Sequence, residues 1–185
     1  MLSTKQAAPP INAVSLSGRP IDLDEFRGKK VLVKFHRFSG CPVARRQVHD
    51  LIEEQEALNA AGIETITVMH SSEENMRPNF DEMPGLHLIA DPKKALYRAY
   101  GVQFRWRRLL SLGTWRETLV SFGRGYLPQL SRFEGGIVGV PSDFLLDEKG
   151  TILWRQTGLD EQSKYQLEMT IYQTLFPRRV SAATE

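Results

Sequence analysis

The feature that most constrains this chain is a strand–helix–strand run between Lys30 and His70. Its first part, Lys30 to His36 (KVLVKFH), is β-branched and aromatic with little alternation. That pattern suits a central strand covered on both faces. A turn, FSGCP, follows, with Gly40 as its flexible element. Pro42 then opens a helix, because a proline at the first helical position removes no backbone bond. From Val43 to Ala61, the residues Ala44, Val48, Leu51, Gln55 and Leu58 recur at threes and fours. They form a stripe that is apolar except at Gln55, and Arg46, Asp50, Glu53, Glu54 and Glu56 are expected to face mostly away from it. Gly62 stops the helix, and Ile63 to His70 (IETITVMH) is the second strong strand. Such short connections make a βαβ unit, which implies parallel strands and a right-handed crossover.

The flanking segments extend this unit. Met1 to Pro10 reads as a loose terminus or approach strand, Leu16 to Arg19 as a short strand and turn, and Leu23 to Gly28 as a short helix or turn. Ser71 to Pro78 looks like a capped helical turn, and Leu86 to Ala90 like a third strand. Asp91 and Pro92 start a helix that ends at Gly101. Gly139 to Asp147 is a turn and strand, and Thr151 to Arg155 the return strand of a hairpin. A closing helix is expected over Lys164 to Phe176. The whole predicts an α/β fold, one mixed sheet with helices on both faces. A length of 185 residues fits one domain, 1–185.

One segment departs from that order, an excursion at about 103–138. It interleaves Arg105, Arg107, Arg108, Arg116, Arg124 and Arg132 with Phe104, Trp106, Trp115, Phe122, Tyr126 and Phe133. Glycines cut it into short pieces, part of it helical. Arginine and aromatic side chains are favoured at interfaces, so a homodimer or partner surface is expected at 103–133.

Composition excludes several classes. The net charge of +2 carries no signature of nucleic acid or membrane binding. No apolar run reaches the ~18 residues of a membrane span, and the first residues lack the apolar stretch of a signal peptide. The single cysteine forms no internal disulfide and makes a zinc or iron–sulfur site improbable. His36, His49, His70 and His87 lack metal-ligand spacing, and the GRG at 123–125 lacks the lysine and hydroxyl of a phosphate loop. No cofactor, metal, nucleic acid or membrane partner is expected, and the expected location is cytoplasmic.

Cys41 falls where the first strand hands over to the helix. The first turn of a helix presents unpaired N–H groups and a positive dipole end, and both stabilise a thiolate over a thiol. Arg37, Arg45 and Arg46 are close in sequence and add positive potential, and His36 is near enough to assist. A thiolate there is a nucleophile at neutral pH. The plainer reading is a buried cysteine acting as a small hydrophobe.

Several motifs together, KKVLVKFHRFSGCP, GIETITVMHS, LHLIADPKKALYRAYGV and GVPSDFLLDEKGTI, resemble the thioredoxin-like superfamily. Within it the chain is similar to the alkyl hydroperoxide reductase / thiol-specific antioxidant group, the peroxiredoxin-like proteins. The resemblance implies a thioredoxin-like fold and a cysteine that attacks peroxide, the place taken here by Cys41. It also implies that Pro42 is the proline that follows it and that Pro141 is the cis-proline facing it; in an enzyme, Arg45 or Arg37 is then expected to stabilise the thiolate and polarise the peroxide. Where the family has a proline and a threonine or serine ahead of the cysteine, this chain has Lys34 and Phe38, leaving Ser39 as the substitute hydroxyl. Where relatives often have a second cysteine, this chain has Ala44. A catalytic cycle then needs an external resolving thiol such as glutathione or thioredoxin. Two functions are expected to compete: a one-cysteine peroxiredoxin-like oxidoreductase, and a non-catalytic binding module acting through 103–133. The acidity of the Cys41 thiol separates them.

Overall fold

The structure is a computed structural model, and it describes residues 2–80, 83, 85–102, 112–129 and 141–158, without the side chains of 112–114. The expected residues Arg105, Trp106, Arg107, Arg108, Arg132 and Phe133, and the closing helix over Lys164 to Phe176, lie outside the described residues.

Strand β3 (Lys30–Phe35) sits in the middle of a five-stranded sheet of order β5-β4-β3-β6-β7. It pairs in parallel with β4 (Ile63–Met69), Lys30 opposite Ile63 and Phe35 opposite Val68. Strand β5 (His87–Ala90) runs parallel on the far side of β4. Strand β6 (Ser142–Leu146) lies antiparallel to β3, and β7 (Ile152–Thr157) antiparallel to β6. This is the mixed sheet that the alternation of strands and helices predicted, and it has the thioredoxin-like arrangement that the resemblance implied. A small hairpin, β1 (Asn12–Val14) with β2 (Pro20–Asp22), precedes it.

The weak alternation of β3 has a direct cause: both its faces are covered. Val31, Val33 and Phe35 join one core with Ile66, Val68, Tyr97, Tyr100 and Phe144. Leu32 points the other way, into a core with Val48, Leu51, Leu145 and Cys41. Burial of this kind is worth about 25 cal/mol per Å² of apolar surface, so the strand is held from both sides.

Four expectations are corrected. The strand placed at Leu16 to Arg19 is instead the turn of the first hairpin, closed by Ser15 N–H on Arg19 C=O at 2.8 Å. Gly18, at φ +81°, takes a conformation that a side chain would strain there. The long helix breaks into α1 (Pro42–Glu53) and α2 (Gln55–Ala60). At the break, Glu54 has φ −84°, ψ −9°, and the new axis keeps Gln55 and Leu58 buried. Arg46 is buried rather than outward-facing, because the excursion folds back onto α1 with partners for it. Finally, the helix after β5 is only α4 (Ala95–Ala99), since Lys94 adopts φ +55° and the Asp91 carboxylate accepts from the N–H groups of Ala95 and Leu96 at 2.8 Å.

Among the described residues the other helices are a single 3-10 turn at Leu23–Phe26, where a short helix or turn was expected, α3 (Glu73–Phe80) and α5 (Leu112–Gly123), the latter being the described helical part of the excursion. Among the described residues no helix is long and apolar enough to cross a membrane.

Candidate functional site

Cys41 is the N-cap residue of α1, with φ −73° and ψ 121°, and Pro42 occupies the first turn. An N-cap serine or aspartate normally accepts from the first-turn N–H groups; Cys41 makes no such bond. Its residue therefore lies at the positive end of α1 without a side-chain bond to the first-turn N–H groups. The backbone is set by Cys41 N–H donating to Phe38 C=O at 3.0 Å and Arg45 N–H donating to Cys41 C=O at 3.0 Å. The residue is 3% exposed.

The two arginines expected beside the thiol part company. Arg37 is buried with Nη1 4.0 Å from Cys41 Sγ, the outer limit of an N–H···S contact. Arg45 is half-buried and engaged elsewhere, donating to Leu127 C=O at 3.2 Å with its guanidinium 5.7 Å from the Tyr126 ring centre. The other expected groups frame the turn. Ser39 donates its hydroxyl to Asn75 C=O at 2.9 Å, and its N–H donates to Ser71 Oγ at 2.8 Å, so it ties the turn to α3. His36 directly follows β3, with Nδ1 3.3 Å from Gln47 Oε1. Burial, and then the Lys34 charge, lower its pKa to about 4, so it is a neutral imidazole at pH 7. Lys34 itself pairs with Asp143 at 3.0 Å. Pro141 directly precedes β6, and the Phe35–Ser142 register sets it beside the end of β3. The peptide bond before it begins at residue 140, outside the described residues.

Three features were missed in the sequence. Tyr97, fully buried, sets its hydroxyl between the carbonyls of His36 and Val68, which fixes the strand ends ahead of the Cys41 turn. Gly40 is pressed against the segment after α5: its C=O accepts from Gln129 N–H at 3.0 Å, and a Cβ there would meet Gln129 O at 1.9 Å. The third is a charged cluster joining α1 to α5. Arg46 donates to Ser121 Oγ at 3.0 Å, to Asp50 at 2.7 Å and to Glu117, and Arg124 donates to Asp50 at 2.9 Å. Only the Gly40 and arginine–glutamate residue types were visible in the sequence, and nothing local tied them together. Among the described residues no group of three or more histidine, cysteine or carboxylate side chains is placed to hold a metal ion.

The geometry can support nucleophilic chemistry at one sulfur. Comparison with known proteins agrees with the fold that builds it. The AhpC/TSA family matches residues 4–155. A Chlorobium tepidum chain described as a thiol:disulfide interchange protein, DsbE, superposes with a TM-score of 0.67 at 20% identity, over 95% of this chain and 99% of its own. The reduced 2-Cys peroxiredoxin of Plasmodium vivax gives 0.63 at 15% identity, over 93% and 83%. Peroxidoxin BcpB of Mycobacterium tuberculosis gives 0.62 at 13% identity, over 96% and 99%. Comparison with curated proteins gives no match.

Proposed function

Since this chain belongs to the AhpC/TSA family, we propose that it is a peroxiredoxin-like thiol oxidoreductase that reduces hydroperoxides through Cys41. The observation that carries the reading is the uncapped N-terminal sulfur of α1 with the Arg37 guanidinium 4.0 Å away. Sγ, as thiolate, attacks the distal oxygen of ROOH. An S–O bond forms, the O–O bond breaks, and the alkoxide leaves as ROH after taking a proton, so Cys41 becomes a sulfenic acid. Arg37 offsets negative charge on sulfur and on the departing oxygen. With Ala44 in place of a second cysteine, an external thiol closes the cycle. One thiol forms a mixed disulfide and releases water, and a second thiol frees Cys41 and leaves as the oxidised disulfide. Glutathione and thioredoxin are the reductants to try. Peroxide consumption with either reductant tests the proposal. Activity that vanishes in Cys41→Ser, with the fold intact, supports it; wild-type protein inert with both reductants contradicts it.

One observation favours a second role for the excursion. Trp115, Leu119 and Phe122 are exposed on one face of α5, at i, i+4 and i+7. Such a stripe is self-complementary across a two-fold axis and supports a homodimer through α5. Sedimentation at micromolar concentration, with and without Trp115→Ala, tests it. A wild-type monomer ends this second reading.

A further inference from the structure

We propose that α5 and the following Tyr126–Gln129 segment form a latched cover that decides how large a reactant reaches Cys41. This inference rests on Cys41 being the reactive thiol, and it names the residues that set its selectivity.

The segment is held at three places around the cysteine turn. Gln129 N–H donates to Gly40 C=O at 3.0 Å, one residue from Cys41. The Gln129 side chain accepts from Asn79 Nδ2 on α3 at 2.9 Å, and Leu127 C=O accepts from Arg45 on α1 at 3.2 Å. The segment thus bridges the two helices that flank the turn. Behind it, α5 is fastened by the buried Arg46, whose donors go to Glu117, Ser121 and Asp50. The Ser121 hydroxyl in turn donates to Glu117 C=O at 2.8 Å.

This attachment is polar where the rest of the core is apolar. Polar contacts of this kind exchange with water at modest cost once they open, whereas apolar packing does not. The cover is therefore built to be released while the sheet stays intact. In the closed form, Cys41 at 3% exposure suits a reactant of a few atoms and excludes a folded partner or a bulky disulfide. Opening is needed when a large thiol must approach the sulfur in line.

Two substitutions act on different parts of the cover. Glu117→Ala removes a partner of Arg46 and loosens α5. Gly40→Ala leaves the ion cluster alone and drives a methyl group into Gln129 O at 1.9 Å, so the segment must retreat, while the Phe38 ring at 3.2 Å has to give only by a few tenths of an ångström; Gly40 is not in the left-handed region, so its own backbone tolerates alanine. Reduced protein is labelled at pH 7 with iodoacetamide and, separately, with a maleimide on a polyethylene glycol chain of several kilodaltons. Circular dichroism confirms the fold of each variant, and Glu117→Gln replaces Glu117→Ala if that variant does not fold. The expected result is an increase of about tenfold or more in polymer labelling for both substitutions, against less than about threefold for iodoacetamide, since local opening limits only the bulky reagent. An unchanged ratio of the two rates in folded variants overturns the cover. A failure of the functional reading looks different: the ratio shifts as expected, yet none of the proteins consumes peroxide.

Discussion

Helices α1 and α5 lie against each other, yet they obey amphipathicity in opposite senses. Helix α1 turns Val43, Ala44, Val48 and Leu51 into the core, and only Arg46 breaks the rule. Helix α5 does the reverse. Glu117 and Ser121 face inward to meet Arg46, while Trp115 is 59% exposed and Leu119 66%. The α1 side of the molecule is held by apolar area, which has no release. The α5 side is held by charges and hydrogen bonds whose desolvation costs nearly balance their attraction. The difference separates a scaffold that fixes Cys41 from a cover that regulates approach to it.

The largest effect should come from the scaffold. Phe35 is fully buried, with the rings of Tyr97 and Tyr100 both at 5.0 Å. Phe35→Ala should cost about 3–5 kcal/mol in denaturant unfolding. A loss below about 1 kcal/mol would mean that the central strand is not the core it is taken for. On the other side, Arg46→Ala strands Glu117, while Asp50 keeps Arg124, and should cost about 3 kcal/mol, whereas Arg46→Met combined with Glu117→Leu should be near neutral or stabilising. A large loss in the double variant would erase the distinction between the two regions.

A comparable effect is expected from pH. His36 has a folded pKa lowered to about 4 by burial and by the Lys34 charge, against 6.5 in the unfolded chain. Between those values the unfolded state binds a proton that the native state does not, so stability is complete above pH 6.5 and falls as pH drops toward 4. The fall should total about 3 kcal/mol by pH 4, and His36→Asn should remove that part of the slope. His87, lowered by burial and by Arg19, acts in the same direction. An equal slope in wild type and His36→Asn would show that the imidazole is already solvated. The smallest effect belongs to the outer face of α5: Leu119→Ala, 66% exposed in the wild type, should change monomer stability by less than about 0.5 kcal/mol.

The scaffold was legible because its signals are local. The run KVLVKFH carries its own strand pattern, and Pro42 marks its own helix start, so the parallel pair and the position of Cys41 followed from neighbours in sequence. Its errors were also local: Lys94 at φ +55° shortened α4, and Glu54 split one helix in two. The cover was illegible because its partners are far apart. Arg46 looked like an outward charge until Glu117 and Ser121 arrived from the excursion, and Arg45 looked like a neighbour of the sulfur until Leu127 and Tyr126 drew it away. Arg37 is buried with Nη1 4.0 Å from the sulfur, a contact within the turn itself.

Whether Cys41 is the nucleophile is read most directly by mass spectrometry of reduced, folded protein after limiting hydrogen peroxide, with dimedone as the trap. A nucleophilic Cys41 gives a dimedone adduct through its sulfenic acid, reversal of the untrapped oxidation by added thiol, and a weaker adduct in Arg37→Gln. Folded protein that carries no adduct at Cys41, while the same peroxide and trap label free cysteine added to the sample, would contradict the proposal and return the cysteine to the role of a buried hydrophobe.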